Sequence, residues 1–283
     1  MTAPADQTAV GIIAGAGSLP FAVADALVRR ARRAVIYGVR GFCDAARITS
    51  YPHHWVALGQ AGRLMRLLRD EGCRDVVFIG GLVRPALSEL RLDLGTLRIL
   101  PRIARGLRGG DDHLLVTIGS IFEQNGFRLI GVTEAAPELA MPAGDLAQQS
   151  PDAGAQADIA RGLAVLAAIS PFDIGQAVVV IDGHVVAVEG IEGTDGLLAR
   201  VAELRSQGRI RAPRGRGVLV KAPKLQQDRR FDLPTLGPRT IEGAAAAGLK
   251  GVALAAGQAI VAEPQQVVDA ADRAGLFVSG VTP

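Results

Sequence analysis

Residues 221–239 mix acids and bases at close spacing. Asp228 and Asp232 stand four apart, interleaved with Lys221, Lys224, Arg229, Arg230 and Arg239, while Phe231, Leu233 and Pro234 punctuate the run. Carboxylates beside phosphate-type cations are a natural Mg²⁺ arrangement, because this ion binds through one or two carboxylates together with substrate oxygens. A solvated charged loop is the plain alternative. The apolar residues, and the β-like run that precedes the segment, count against it. A second constellation, Glu189-Gly190-Ile191-Glu192-Gly193-Thr194-Asp195-Gly196, puts three carboxylates and a hydroxyl into a turn loosened by glycine. Glu189, Glu192 and Asp195 are metal-ligand candidates, and Thr194 is a substrate contact or the cap of the following helix.

Gly15-Ala16-Gly17 follows the first apolar run, where a phosphate would meet backbone N–H groups at a helix start. The third glycine of a dinucleotide turn is replaced by Pro20. No acid follows the second run, which ends in Gly38-Val39-Arg40, so NAD is disfavoured. Gln60 after Gly59, and the pair Gly80-Gly81, close two further runs and are placed to line a cleft. His53, His54, His113 and His184, with Cys43 and Cys73, show no zinc spacing. Neither a nucleophile elbow nor a P-loop is present.

The elements that must position these residues alternate. Residues 10–14, 34–37, 55–58 and 75–79 read as strands, and 20–33, 61–71 and 112–125 as helices, with a closing strand at 127–132. Strand, glycine turn and helix in repetition predict a parallel α/β sheet. Between 135 and 156 the pattern dissolves into Ala, Pro, Gly, Gln and Ser, which predicts a linker between a first domain, 1–134, and a second, 157–283. The second domain reads as mixed α/β. It has a helix over 158–169, then a hairpin of 177–181 and 184–188 turning on Asp182-Gly183, a strong two-residue signal. A strand at 217–220, an Ala-rich helix, a strand pair within 251–261, a helix from 264 and a strand at 276–281 complete it.

The chain has 283 residues, enough for two modest domains. A hydrophobic fraction of 49% excludes a mostly disordered chain. Thirty-one basic against 28 acidic residues leave +3, which is not the footprint of a nucleic-acid coat. Two cysteines without C-x-x-C spacing point to a reducing compartment. The first eight residues show no basic signal-peptide region. The most apolar stretch, 251–262, is too short to span a bilayer. The expectation is a protein that is soluble or attached to a membrane from one side.

Taken in order, five blocks resemble one family. They are Gly11-Ile12-Ile13-Ala14-Gly15-x-Gly17-x-Leu19-Pro20, Gly110-Asp111-Asp112, Asp173-Ile174-Gly175-Gln176-Ala177-Val178, Glu189-Gly190-x-Glu192-Gly193-Thr194-Asp195, and Gln227-Asp228-x-Arg230-Phe231-Asp232-Leu233-Pro234-x-x-Gly237. The chain resembles the I-type UDP-2,3-diacylglucosamine pyrophosphatases of lipid A biosynthesis, the LpxI family.

The resemblance implies a hydrolase that splits UDP-2,3-diacylglucosamine into UMP and 2,3-diacylglucosamine 1-phosphate (lipid X). It further implies dependence on Mg²⁺, with Mn²⁺ as substitute, attack on the sugar-side phosphorus, and a Rossmann-like N-terminal domain with a C-terminal catalytic domain. The family's essential aspartate falls on Asp228. The approach to it reads Lys224-Leu225-Gln226-Gln227, where Lys-Pro-Gly-Gln is expected.

On this reading Asp228 is metal ligand or base, and Asp232, Glu189, Glu192 and Asp195 are supporting ligands. Lys221, Lys224 and Arg230 neutralise the diphosphate, while Gly15, Gly17, Gln60, Asp112, Thr194 and Gln227 contact substrate. The expected partners are the lipid substrate and product, the membrane surface peripherally, and a second copy of the chain, but no nucleic acid. The expected place is the cytoplasmic side of the inner membrane. A non-catalytic nucleotide-sugar sensor is the alternative, separated by metal-dependent release of UMP. A nucleotide-dependent oxidoreductase is a further rival, separated by NAD(P) binding.

A substrate with two acyl chains also needs a lipid contact. Leu87, Leu90, Leu94 and Leu97 recur at helical spacing beside Arg91, Arg98, Arg102 and Arg105, as in an interfacial helix. An ordinary helix with its leucines in the core is the competing expectation.

Overall fold

The structure is a computed structural model that describes residues 8–82, 91–106, 111–224 and 228–282; the side chains of 104–106 and 111–113 fall outside that description. It divides into two compact units. The first holds the described residues up to Glu138, together with Arg230–Asp232, and the second holds the remainder.

In the first unit the order is β1 (Ala9–Ala14), α1 (Leu19–Arg29), β2 (Ala34–Val39), β3 (His53–Val56), α2 (Ala61–Asp70), β4 (Cys73–Ile79), α3 (Leu94–Gly106), α4 (Asp111–Gln124), β5 (Arg128–Leu129) and α5 (Val132–Ala135). The strands form one sheet in the order β3-β2-β1-β4-β5, parallel throughout. This is the strand order of a doubly wound sheet. Its strand order reverses between β1 and β4, where ligands of such folds bind at the carboxyl edge. β1 and β2 are buried along their whole length, as parallel strands covered on both faces must be. α2 shows why such a sequence is a helix: Leu64, Met65 and Leu68 face inward, while Arg63, Arg66 and Arg69 face water. α1 stops four residues earlier than its pattern predicts, because Ala31 adopts a left-handed conformation.

The second unit continues with β6 (Gly144–Asp145), α6 (Ala153–Ile169), β7 (Ala177–Ile181), β8 (His184–Val188), α7 (Gly193–Ser206), β9 (Val218–Lys221), β10 (Thr235–Leu236), α8 (Pro238–Ala246), β11 (Gly251–Ala255), β12 (Ile260–Val261), α9 (Pro264–Ala274) and β13 (Phe277–Val281). Its six-stranded mixed sheet runs β6-β13-β11-β9-β7-β8. β9, β11 and β13 are parallel, and the two edges are antiparallel. One face packs Val179, Leu219, Val252 and Val278 with residues of α7, α8 and α9. The other packs Val178, Val220 and Phe277 with residues of α6. Full burial of each such side chain contributes about 1.5–3 kcal/mol.

Two expectations about organisation change. The stretch read as a linker, 135–156, is folded: β6 pairs with β13, Met141 is fully buried, and α6 already begins at Ala153. The helix starts there because Asp152 caps it, accepting a hydrogen bond from Ala155 N at 2.8 Å. The boundary between the main parts of the units therefore falls at Glu138, not at a span of free chain. The strand pair read within 251–261 also separates, since β11 joins the large sheet and β12 pairs in parallel with β10.

One buried carboxylate braces the amino-terminal edge of the first sheet. Asp75 is paired across to Arg128 in the strand register and accepts its Nε and Nη2, both at 2.8 Å, while Arg32 Nη2 reaches it at 2.9 Å. Burial pushes this carboxyl upward, but the hydrogen bonds from Arg128 and Arg32 outweigh it and hold the pKa below the ordinary value. Its stabilising effect is therefore complete above about pH 4 and is lost as pH falls through the folded pKa. Asp75→Asn should cost about 2–4 kcal/mol, because two guanidinium groups lose their counter-charge. The acid-induced loss of stability that protonation of Asp75 contributes should be missing from the variant. Urea titrations at pH 7 and pH 3.5 measure both, and an unchanged midpoint at pH 7 would contradict the role.

Candidate active site

In the second unit the predicted residues gather at the carboxyl end of β9. Lys221, the last residue of that strand, is buried. Its Nζ donates to Thr194 Oγ1 at 2.9 Å and to the Thr235 carbonyl at 3.0 Å. Thr194 in turn donates to Glu189 Oε1 at 2.7 Å, and Glu189 Oε2 accepts the backbone N–H of Gln176 at 2.7 Å. A buried charge must be paired and hydrogen-bonded, and this chain of contacts does that for Lys221 and Glu189 together. Thr194 therefore works at the start of α7 as a link between the two charges, while α7 shows no side-chain cap at Glu192.

The loop after β9 places Lys224 beside Asp173, whose carboxylate it contacts. Asp173 sits in the left-handed region at φ 53°. Asp195 pairs with Arg239 at 2.5 Å and Glu192 with Arg200 at 2.6 Å, both largely toward solvent. Hydrogen bonds from its own backbone N–H, from Arg200 and from the Gly190 backbone hold the Glu192 carboxyl below its ordinary pKa. Asp228 is half-buried in this loop, and Gln227 lies outside the described residues.

In the first unit the glycine turn sits at the strand-order reversal. Ala16 N donates to Gly81 O at 2.8 Å and Gly81 N to Ala16 O at 3.0 Å, so the ends of β1 and β4 are laced together. Gly15 is required by that lacing, since a Cβ there would lie 2.6 Å from Gly81 O and 2.8 Å from Gly80 O. Gly17, at φ 102°, leaves open space where a side chain would be. Gln60 precedes α2, and its Oε1 accepts from Ala57 N at 3.1 Å, which shapes its own turn. Asp112 is the second residue of α4, with its side chain outside the description. Arg230 and Phe231 belong to this unit. The guanidinium reaches Glu123 Oε1 at 2.6 Å, and the Phe231 ring lies 5.7 Å from that of Phe78. Asp232, half-buried, completes the same short segment.

The five carboxylates expected to share a metal are thus not one group. Among the described residues no set of three or more His, Cys, Asp or Glu is placed to hold a metal. Glu189, Glu192 and Asp195 are engaged by Thr194 and Gln176, Arg200, and Arg239. The other two carboxylates fall in different units, Asp228 in the second and Asp232 in the first. Two contributors carried no side-chain signal in the sequence, because the Gln176 N–H and the Thr235 carbonyl are backbone groups.

Comparison with known proteins agrees with the motifs. The profile of the LpxI N-terminal domain matches residues 9–139, and that of the LpxI C-terminal domain matches residues 142–279. The chain belongs to the LpxI family. Membership makes it a hydrolase. It is 43% identical over 274 residues to the UDP-2,3-diacylglucosamine pyrophosphatase LpxI of Caulobacter vibrioides, covering 97% of this chain and 98% of that one. A UDP-glucose-4-epimerase from Stenotrophomonas maltophila, solved with NAD and formylated UDP-arabinopyranose, overlaps 42% of this chain and 34% of that one. Its 19% identity and TM-score of 0.26 carry no argument.

Glu189 is therefore expected to behave as an anchor rather than a ligand. Glu189→Gln should lower stability by about 1–3 kcal/mol, the cost of disturbing a buried hydrogen-bonded charge. The metal concentration giving half-maximal activity should not change. Thermal melts and a metal titration read the two effects separately, and a large shift in metal requirement would return Glu189 to the ligand set.

Proposed function

We propose that the protein hydrolyses the diphosphate of UDP-2,3-diacylglucosamine to UMP and 2,3-diacylglucosamine 1-phosphate, the lipid X step of lipid A biosynthesis, with Mg²⁺ as cofactor. The observation that carries this reading is the match to an LpxI pyrophosphatase along 97% of the chain, which includes both family domains in order. The motif Gln227-Asp228-x-Arg230-Phe231-Asp232 is intact within it.

The chemistry asks for neutralised phosphate oxygens and an activated water. Asp228 orients the water and accepts its proton as the oxygen bonds to phosphorus; the bridging P–O bond breaks, and its electron pair leaves on the departing phosphate. Lys224 and Arg230 supply positive charge for the diphosphate oxygens. Lys221 holds the loop that carries Asp228, through its bonds to Thr194 and Thr235. Asp228 would hold Mg²⁺, with Asp232 as a further candidate ligand, and the ion would supply Lewis-acid polarisation and a more acidic bound water. Because the substrate carries two acyl chains, the enzyme works at the cytoplasmic surface of the inner membrane. No helix among the described residues is long and apolar enough to cross one.

Incubation with UDP-2,3-diacylglucosamine and Mg²⁺ should release UMP and lipid X. Asp228→Ala should lose at least ~100-fold in rate while melting like wild type. EDTA should silence turnover, and Mg²⁺ or Mn²⁺ should restore it. A folded Asp228→Ala protein of near-native activity would remove Asp228 from the mechanism. Full turnover after exhaustive chelation would remove the metal. Binding without release of UMP would leave a sensor in place of an enzyme.

A further inference from the structure

In α3 the two described leucines of the stripe lie at the surface, against the expectation of a helix with its leucines in the core. Leu94 is 79% exposed, Leu97 48% and Leu92, just before the helix, 43%. Leu87 and Leu90 lie outside the described residues. The arginines divide as well. Arg102 is occupied, donating to Gln124 Oε1 at 2.6 Å and Ser120 Oγ at 3.3 Å. The Arg105 side chain is outside the description, whereas Arg91 and Arg98 point to solvent.

These leucines are held in place. Asp93 caps two helices at once. It accepts from Arg63 N at 2.7 Å and Gly62 N at 3.3 Å at the start of α2, and from Thr96 N at 2.7 Å in α3. Thr96 is buried, accepting from Ala61 N at 2.9 Å and donating to Gly59 O at 2.5 Å. The helices cross at Gly62 and Gly95, so close that a Cβ on Gly95 would lie 2.5 Å from Gly62 Cα. The exposed leucines thus project from a braced crossing at the carboxyl end of β3. That is the edge of the sheet that carries the glycine turn.

The charge on the same edge is one-sided. Arg69 lies at the far end of α2 against Asn125 and Phe127, and Arg102 is occupied, which leaves Arg63, Arg66 and Arg98 on the two helices and Arg91 just before α3. The carboxylate of nearby Asp93 is taken up by the caps, and among the described residues no carboxylate is paired with Arg66, Arg91 or Arg98. Two such surfaces would repel each other across a symmetric dimer. Anionic phosphates spread over an apolar layer complement both features.

We propose that the α2–α3 edge of the first unit is a docking surface for an anionic phospholipid bilayer. Leu92, Leu94 and Leu97 enter the acyl boundary, and Arg66, Arg91 and Arg98 lie among the headgroup phosphates. The inference deepens the proposed function by naming the surface that meets the lipid phase, and it rests on that reading only for its purpose.

The test sediments the full chain with vesicles of phosphatidylcholine, with or without phosphatidylglycerol. Wild type should pellet with the anionic vesicles alone, and less as salt rises. Replacing Arg66, Arg91 and Arg98 with Gln should weaken binding roughly 100-fold. Leu94→Ser with Leu97→Ser should weaken it at least ~10-fold. Every replaced side chain is exposed, so both variants should melt like wild type. Wild type that stays in the supernatant, or folded variants that pellet as wild type does, would overturn the proposal. So would variants that lose only self-association. Hydrolysis is scored separately: an inactive protein that pellets as expected keeps this inference and loses the pyrophosphatase reading, and an active one that never pellets does the reverse.

Discussion

A single ammonium group ties together the two ends of the segment between β9 and β10. Lys221 ends β9 in the interior of the mixed sheet, where an unpaired charge is costly. Satisfying it draws in the Thr235 carbonyl from the far end of the loop and the Thr194 hydroxyl from the start of α7. Thr194 then brings Glu189, and Glu189 the Gln176 backbone. The segment between Lys221 and Thr235 leaves and returns through one small patch of hydrogen bonds, seconded by the parallel pairing of β10 with β12.

Two kinds of ion pair serve two purposes in this chain. Asp75 with Arg32 and Arg128 is inward and multiply bonded, and it consolidates the first sheet. The pairs of Asp195 with Arg239 and of Glu192 with Arg200 are open to water. Pairs of that kind contribute about 0–1 kcal/mol. They add little to stability.

Legibility in the sequence follows the range of the forces involved. The hairpin at Asp182-Gly183 is readable to the residue, because both positions take positive φ and the signal lies in two adjacent side chains. The parallel sheet is readable from its buried runs. β6 and β12 are not, since their pairing is made by two residues of backbone each, with partners far along the chain. The same limit applies to the site. Charge and spacing locate Lys221, Thr194, Glu189 and Asp228, but composition cannot say which carboxylate is already engaged. Glu189 and Glu192 look alike in the sequence and differ in the fold by who donates to them. Likewise, periodicity gives α3 a leucine stripe without saying which way it faces.

The path of the chain restricts how this architecture can vary by descent. The first unit is not the first part of the gene product alone, because it includes Arg230–Asp232. Phe231 completes the aromatic group of Phe78, Phe122 and Phe127, and it lies so close to Gly119 that a Cβ there would be 2.7 Å from the ring. A recombination event that exchanged the chain up to Glu138 between two relatives would separate that ring from the surface shaped to receive it. Any side chain larger than glycine's at position 119 would have to displace the Phe231 ring.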